Sequence, residues 1–313
     1  MRINEDTAVS TSRILLVPYD AHHVERYHEW MGDEALREAT ASDLLTLDEE
    51  YENQQSWRTA HDKLTFIVCR AVGADPDPDP DPVYSGEDDA PSRMVGDVNL
   101  FLTPCDDEDD EDGESEDIHG NENERRDAGR ESGLCDLQGE IDIMIASREN
   151  RRKGLGEAAV RAFLQYLSRN HEAIVDEYVR GASPAAVGDA PGVTKTKTKT
   201  TITTEEEEEE EKRNGAGLKR LVAKINADNA GSIRLFGNLG FRQHGGPNYF
   251  NEISMALVDF PSMPPSMTTT AAAMVPGTSL GTAESGTKSG ITGSEVEELG
   301  YRERLFDRSR LKK

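Results

Sequence analysis

The chain has 313 residues, enough for one or two domains, with 35% hydrophobic and 31% charged residues. Its formal net charge of −26 makes it a poor non-specific binder of nucleic acid or anionic membrane, and suits either acid-rich disorder serving solubility or a basic partner or substrate. No apolar run approaches a membrane span, and the cysteines Cys69, Cys105 and Cys135, without C-x-x-C spacing or a signal peptide, point to a reducing, cytoplasmic location.

The elements follow in chain order. Arg13–Tyr19 reads as a strand, and Ala21–Met31 as a helix with Val24, Tyr27, His28 and Met31 at helical spacing. Thr46 followed by Glu49 is a capping box for a helix over Leu47–Trp57 that would bury Leu47, Tyr51 and Trp57. Thr65–Ala71 is a strand, with Cys69 as a small core residue. The Asp-Pro alternation from Asp75 to Asp81 opens an insert over 73–93 that forms neither helix nor ladder. Met94–Leu102 is the next strand, ended by Pro104, and a second insert covers 104–137. Between Asp106 and Asp136 that insert carries 15 acidic and 3 basic residues, a sign of solvated disorder.

From Gly139 the pattern changes. Ile141–Ala146 is a strand, Ser147–Asn150 a turn, and Glu157–Leu167 an amphipathic helix. Between them lies Arg151-Arg152-Lys153-Gly154-Leu155-Gly156. Glycines admit close backbone approach, and the first amides of a helix lack internal partners. The helix dipole and three side-chain cations add positive charge at the same spot. These groups suit a phosphate.

A third insert covers 181–217, with alternating Lys-Thr and seven glutamates, Glu205 to Glu211. Leu218–Asn226 is a strand, and Ser232–Leu239 a helix with Asn229 as cap and Gly240 as its left-handed end. Phe241–Gln243 and Tyr249–Leu257 make a closing hairpin. Residues 261–313 form a low-complexity tail, in which Glu295–Lys313 admits a helix with too few apolar positions to dock. With inserts confined to connections, the order β-α-α-β-β-β-α-β-α-β-β describes a single α/β domain over 1–260, one mixed central sheet flanked by helices. The seven histidines show no metal-ligand spacing, so no metal is expected.

The Arg-x-x-Gly-x-Gly turn, preceded by a strand and followed by a helix, resembles the phosphate turn of the GNAT superfamily of acetyl-CoA-dependent N-acetyltransferases. The second strand–helix unit, with Asn229, Ser232, Phe236, Gly240 and Phe241, is similar to the later part of that fold. His23–Met31, Thr40-Ala41-Ser42, Glu50-Tyr51, Ser56-Trp57 and Met94–Leu102 narrow the resemblance to the N-acetyltransferase 9-like branch.

The resemblance implies acetyl-CoA as acetyl donor, its diphosphate on Arg151, Arg152, Lys153, Gly154, Leu155 and Gly156. It implies a pantetheine arm along the backbone of Met144, Ile145 and Ala146, touched by Asn229, Ser232 and Phe236. The thioester would sit where the strands at 139–146 and 219–226 part. Glu140 and Asp142 alternate onto one face of their strand. Either is the base for amine attack if that face looks into the cleft, and both are ordinary solvent-facing carboxylates if it does not. Many GNAT enzymes have a Tyr where Phe236 stands; without it, Ser232 is either the acid, directly or through a water, or an ordinary helix-start residue, with the thiolate leaving unaided or the chain a slow or inactive relative. Trp30, Glu34, Tyr51, Trp57 and Tyr249 are candidate substrate-wall residues, each also explained by core packing. The branch implies a protein or peptide amine as substrate, with the tubulin amino terminus as candidate and neither nucleic acid nor membrane as partner. A small-amine acetyltransferase and a microtubule-associated binding protein with a vestigial site are the alternatives.

Overall fold

The structure, a computed structural model, describes residues 1–71, 82–105, 136–182, 217–258, 260 and 300–311. The Asp-Pro run, the acidic stretch, the Lys-Thr and glutamate tracts and most of the tail lie outside the described residues. The strands are β1 (Thr7–Ser10), β2 (Ile14–Pro18), β3 (Lys63–Arg70), β4 (Val83–Tyr84), β5 (Met94–Pro104), β6 (Leu137–Ile145), β7 (Leu218–Asn226), β8 (Arg242–His244), β9 (Glu252–Val258) and β10 (Arg302–Asp307). The helices are α1 (Val24–Met31), α2 (Glu34–Ala39), α3 (Leu47–Thr59), α4 (Leu155–Ala182) and α5 (Ala230–Asn238).

One sheet runs β4-β10-β1-β2-β3-β5-β6-β7-β9-β8. Its centre is antiparallel, and β5 and β6 pair over nine positions from Gly96↔Ile145 to Pro104↔Leu137 despite the long insert between them. Gly96 permits this pairing: a Cβ there would meet the Met144 carbonyl oxygen at 1.8 Å. The β6–β7 pair is parallel, as a strand–helix–strand crossover requires.

Strand alternation sorts the core onto two faces. On one, Phe66, Val98, Leu100 and Ile141 pack under α4, whose Ala159, Val160, Phe163, Tyr166 and Leu167 form a buried stripe. Phe66 meets Phe163 and Tyr166 edge to face at 6.0 and 5.1 Å. Burying one such ring contributes roughly 1.5–3 kcal/mol. On the other face Leu15, Val17, Ile67, Cys69 and Met144 pack against Val24, Trp30, Met31 and Leu36 of α1 and α2. On the same face of β7, Lys224 and Asn226 are exposed.

The Thr46 capping box is present, with Thr46 N–H donating to Glu49 Oε2 at 2.7 Å. Leu47 is nevertheless 38% exposed. The residues α3 buries are Glu50 and Gln54, the latter donating to the Tyr19 carbonyl at 2.7 Å. Trp57 is half-buried against the edge of Phe101.

Two expectations are corrected. The tail is not helical over 302–307; it is β10, paired antiparallel with β1 and parallel with β4. Phe306 alone seals the core there, and Arg308 ties the strand to Asp6 and Asp20. The insert expected over 73–93 is ordered from Pro82, where β4 leads into a turn that buries Ser85 and Asp89.

Candidate active site

The turn from β6 into α4 is built as its glycines suggest. Arg152 and Gly154 take positive φ values of 60° and 71°, and α4 begins at Leu155. The first amides of that helix have no intrahelical partner. Arg152 and Lys153 are exposed. Arg151 does more than present charge: its Nε donates to the Ile145 carbonyl at 2.8 Å and its Nη2 to that of Ala146 at 3.0 Å. It therefore clamps the strand end to the turn. Arg13, from the start of β2, donates to the Lys153 carbonyl and adds a cation that its sequence position gave no reason to place here. Gly156 faces Leu235 of α5, which a Cβ would meet at 3.3 Å, so the glycine lets α5 pack close.

Beside the turn the sheet opens. The parallel pairing of β6 and β7 ends at Glu140↔Val222, although β6 continues to Ile145 and β7 to Asn226. Past that point the two strands leave a gap. Ala146 N–H donates to Val95 of the β5 side and Leu137 N–H to Gly217 of the β7 side. By alternation, Ile143 and Ile145 present their backbone groups to the gap, while Met144 and Ala146 turn theirs to β5. The side chains of Met144 and Ala146 are buried under α1 and α2.

The side chains of Glu140 and Asp142 point to the open, polar face, with Phe101 and Asn99 directly opposite on β5. Glu140 is held by Lys224 Nζ at 2.7 Å. Asp142 is exposed. Partial desolvation, then the charges of Glu140 and Glu252, push it up to about 6, against the pull of Lys224. Solvent access moderates that push. Asp97, two positions before Asn99, is 2% exposed. Burial drives it to about 7, with a contribution from Asp142, while hydrogen bonds from Asn99 and Tyr27 oppose the shift. Asp97 and Asn99 escaped the sequence reading. The signal was two polar residues two apart, on one face of a strand otherwise apolar.

Asn229 caps α5, its Oδ1 accepting the Ser232 N–H at 3.1 Å. Ser232 is half-buried at that helix start. Phe236 does not line the gap: it is 2% exposed and stacks edge to face with Phe241 at 5.0 Å in the core. Among the wall candidates, Trp30 is core, Tyr51 and Trp57 are half-buried, Glu34 is exposed and Tyr249 is 96% exposed beside Phe250.

Among the described residues, His22, His23 and Asp89 are the one group of three that could surround a metal ion. Both Nε2 atoms lie on Asp89 Oδ2, at 2.9 and 3.0 Å. His23 Nδ1 accepts the Asp20 N–H at 3.0 Å, so its proton sits on Nε2 and points at Asp89. That tautomer leaves no lone pair for a metal, and the trio is a hydrogen-bonded lock between the start of α1 and the β4 turn. Burial would raise Asp89, yet the two histidine bonds hold it well below the carboxylate range.

A family model described as the acetyltransferase (GNAT) domain matches residues 13–242. The chain belongs to the GNAT family. This GNAT protein is 35% identical over 259 residues to the N-acetyltransferase 9-like protein of Schizosaccharomyces pombe, covering 82% of this chain and 99% of that one. Alpha/beta-tubulin-N-acetyltransferase 9 of Drosophila melanogaster is 38% identical over 178 residues, 57% of this chain and 71% of that one. The Mus musculus protein of the same name is 33% identical over 259 residues, 82% and 73% of the two chains. It is thus an acetyl-CoA-dependent N-acetyltransferase of the N-acetyltransferase 9-like branch. No described helix is long and apolar enough to cross a membrane.

Proposed function

We propose that this GNAT enzyme acetylates a protein N-terminal amine, with tubulin as the candidate substrate, and that Asp142 is the base. The observation that carries the reading is the gap past Glu140↔Val222 with a solvent-reachable carboxylate at its edge. The relatives named alpha/beta-tubulin-N-acetyltransferase 9 support the choice of substrate. Acetyl-CoA supplies the acetyl group as a thioester. Arg152, Lys153, Arg13 and the first amides of α4 would hold its diphosphate. The backbone of Ile143 and Ile145 would pair with its amide-bearing arm, and the Asn229 side chain stands at the facing helix start.

An amine arrives as an ammonium and cannot attack until a proton leaves. The polar face over β6, β7 and β9, with Glu140, Asp142 and Glu252, attracts that cation. Asp142, raised to about 6, is mostly ionised at neutral pH yet basic enough to take the proton. Glu140 is neutralised by Lys224 and is the weaker candidate. Ser232 sits at the start of α5 and would donate to the departing thiolate directly or through water. A cytoplasmic location is part of this proposal.

The test is release of free coenzyme A with peptides bearing tubulin amino termini, against the same peptides N-terminally blocked, lysine-bearing peptides and free polyamines. Turnover that survives blocking, or that is confined to polyamines, overturns the N-terminal reading. Acetyl-CoA binding without turnover on any amine would favour a binding protein.

A further inference from the structure

β10 holds the start of α1 by two routes. Arg308, just past the strand, forks onto Asp20: its Nε donates to Oδ2 at 2.6 Å and its Nη2 to Oδ1 at 3.2 Å. Asp20 stands immediately before the single helical turn Ala21–His23 that runs into α1, and its N–H donates to His23 Nδ1 at 3.0 Å. The second route passes through the β4 turn. Val83 and Tyr84 pair with Phe306 and Asp307, and Ser85 N–H donates to the Asp307 carbonyl at 2.9 Å. Asp89, in the same turn, accepts from His22 and His23. Arg310 stacks over the Tyr84 ring at 3.4 Å and pairs with Glu87 at 3.3 Å.

α1 in turn overlies the strands of the proposed amine site. Tyr27 Oη donates to Asp97 Oδ2 at 3.4 Å, an oxygen that also accepts from Asn99 at 2.8 Å, and Asn99 is directly across from Asp142. Trp30 and Met31 pack in one cluster with Met144 and Ala146 at the end of β6. The cation proposed for the coenzyme diphosphate is at the other end of the sheet: Arg13 precedes β2 and Asp20 follows it. The Arg308 fork is not what seats β10. Phe306, the ladder with β1 and the bond from Arg308 Nη1 to Asp6 at 3.0 Å do that. What the fork adds is a direct bond to the residue before α1. The Asp20 side chain is 14% exposed, against 71% for Asp6, and a forked guanidinium fixes geometry as well as charge.

We propose that Arg308 is a positioning residue for the amine substrate: acting through Asp20, it sets where α1 stands over β5 and β6. The state of the β10 segment then tunes affinity for the amine and leaves affinity for the coenzyme alone. The inference rests on the reading that the amine enters over the face bearing Asp142. Coupling of this kind is carried by a rigid element that both ends contact, and α1 is that element, held at its start by Asp20 and bonded to Asp97 through Tyr27.

The experiment compares the full chain as wild type, Arg308→Ala, Asp20→Asn and Asp6→Asn by steady-state turnover with an accepted amine, acetyl-CoA calorimetry and amide hydrogen exchange. Asn at position 20 removes the charge and keeps a residue suited to a helix start. Arg308→Ala and Asp20→Asn should each raise KM for the amine about fivefold and keep kcat within about twofold, the pattern of lost uniform binding. The double variant should do no worse than Arg308→Ala, since both changes cut one bond. Amides of 20–31 should exchange faster in both, those of the first turns of α4 should not, and acetyl-CoA affinity should hold. Asp6→Asn loosens the same strand without touching the fork, so its KM should match wild type. An equal KM rise in Asp6→Asn, or a parallel loss of acetyl-CoA affinity, overturns the inference, because general loosening then explains it. An unchanged KM in Asp20→Asn also overturns it, and this variant carries the test if Arg308→Ala does not fold. If Asp142→Asn keeps wild-type turnover, the base assignment falls while the KM shift stands. If Asp142→Asn loses turnover and Asp20→Asn changes nothing, only the positioning role falls.

Discussion

Lys224 Nζ holds the Glu140 carboxylate at 2.7 Å across the mouth of the gap between β6 and β7. That ion pair divides the work of two carboxylates that strand alternation alone left equivalent. Glu140→Gln should reduce kcat only a few-fold, whereas Asp142→Asn should reduce it by about 100-fold or more. Steady-state turnover with one peptide substrate decides between them.

The same lysine gives a signed pH effect. Lys224 lowers the proton affinity of Asp142. Lys224→Met removes that pull, so Asp142 should rise above about 6 and the acid limb of kcat/KM should shift to higher pH. A shift in the opposite direction would show that the limb belongs to another group.

Gly154 sits at φ 71°, and a Cβ there would approach the Arg13 guanidinium at 3.0 Å. Gly154→Val should strain the turn and weaken acetyl-CoA binding by at least about tenfold, equivalent to about 1.4 kcal/mol. Calorimetry reads this directly. Arg13→Ala should weaken binding less, since it removes one exposed cation and leaves the turn glycine in place.

Asp97 also links stability to pH. Its folded-state value, about 7, lies above the ordinary 3.8. Between those values the folded chain holds more protons than the unfolded one, so stability falls as pH rises. Asp97→Asn removes the penalty. The variant should melt several degrees higher than wild type at pH 8, and the advantage should vanish near pH 4.

Asp89 has the opposite role. Its buried carboxylate accepts hydrogen bonds from His22 and His23. Asp89→Ala would strand both donors and cost about 2–4 kcal/mol. Urea unfolding followed by far-ultraviolet dichroism measures the loss.

The parts of the fold legible in sequence were those where one local rule dominates. Gly154 and Gly156 mark the turn from β6 into α4, Thr46 and Glu49 cap α3 reciprocally, and Gly240 ends α5 at φ 95°. The parts missed depend on partners distant in sequence. β10 has a weak apolar pattern, and its ladder partners are at the other end of the chain. Asp89 follows an Asp-Pro run and reads as surface, yet two histidines over sixty positions earlier bury it. α5 turns Phe236 toward Phe241, a contact that the motif around it does not announce. In the site, spacing put Glu140 and Asp142 on one face. Only Lys224, on a neighbouring strand, tells the two apart.

β10 joins the sheet between β4 and β1 at the far edge from β9, although β9 is the strand before it among the described residues. It therefore behaves as a tethered ligand of the rest of the molecule, with a high effective concentration that replaces intrinsic affinity. Cutting the tether without removing the strand should turn docking into a concentration-dependent equilibrium. A synthetic peptide spanning 300–311 should then rescue a chain shortened before it. Without that peptide, the bared ladder of β1 is a template that a second molecule can fill, and the shortened chain should form edge-paired aggregates.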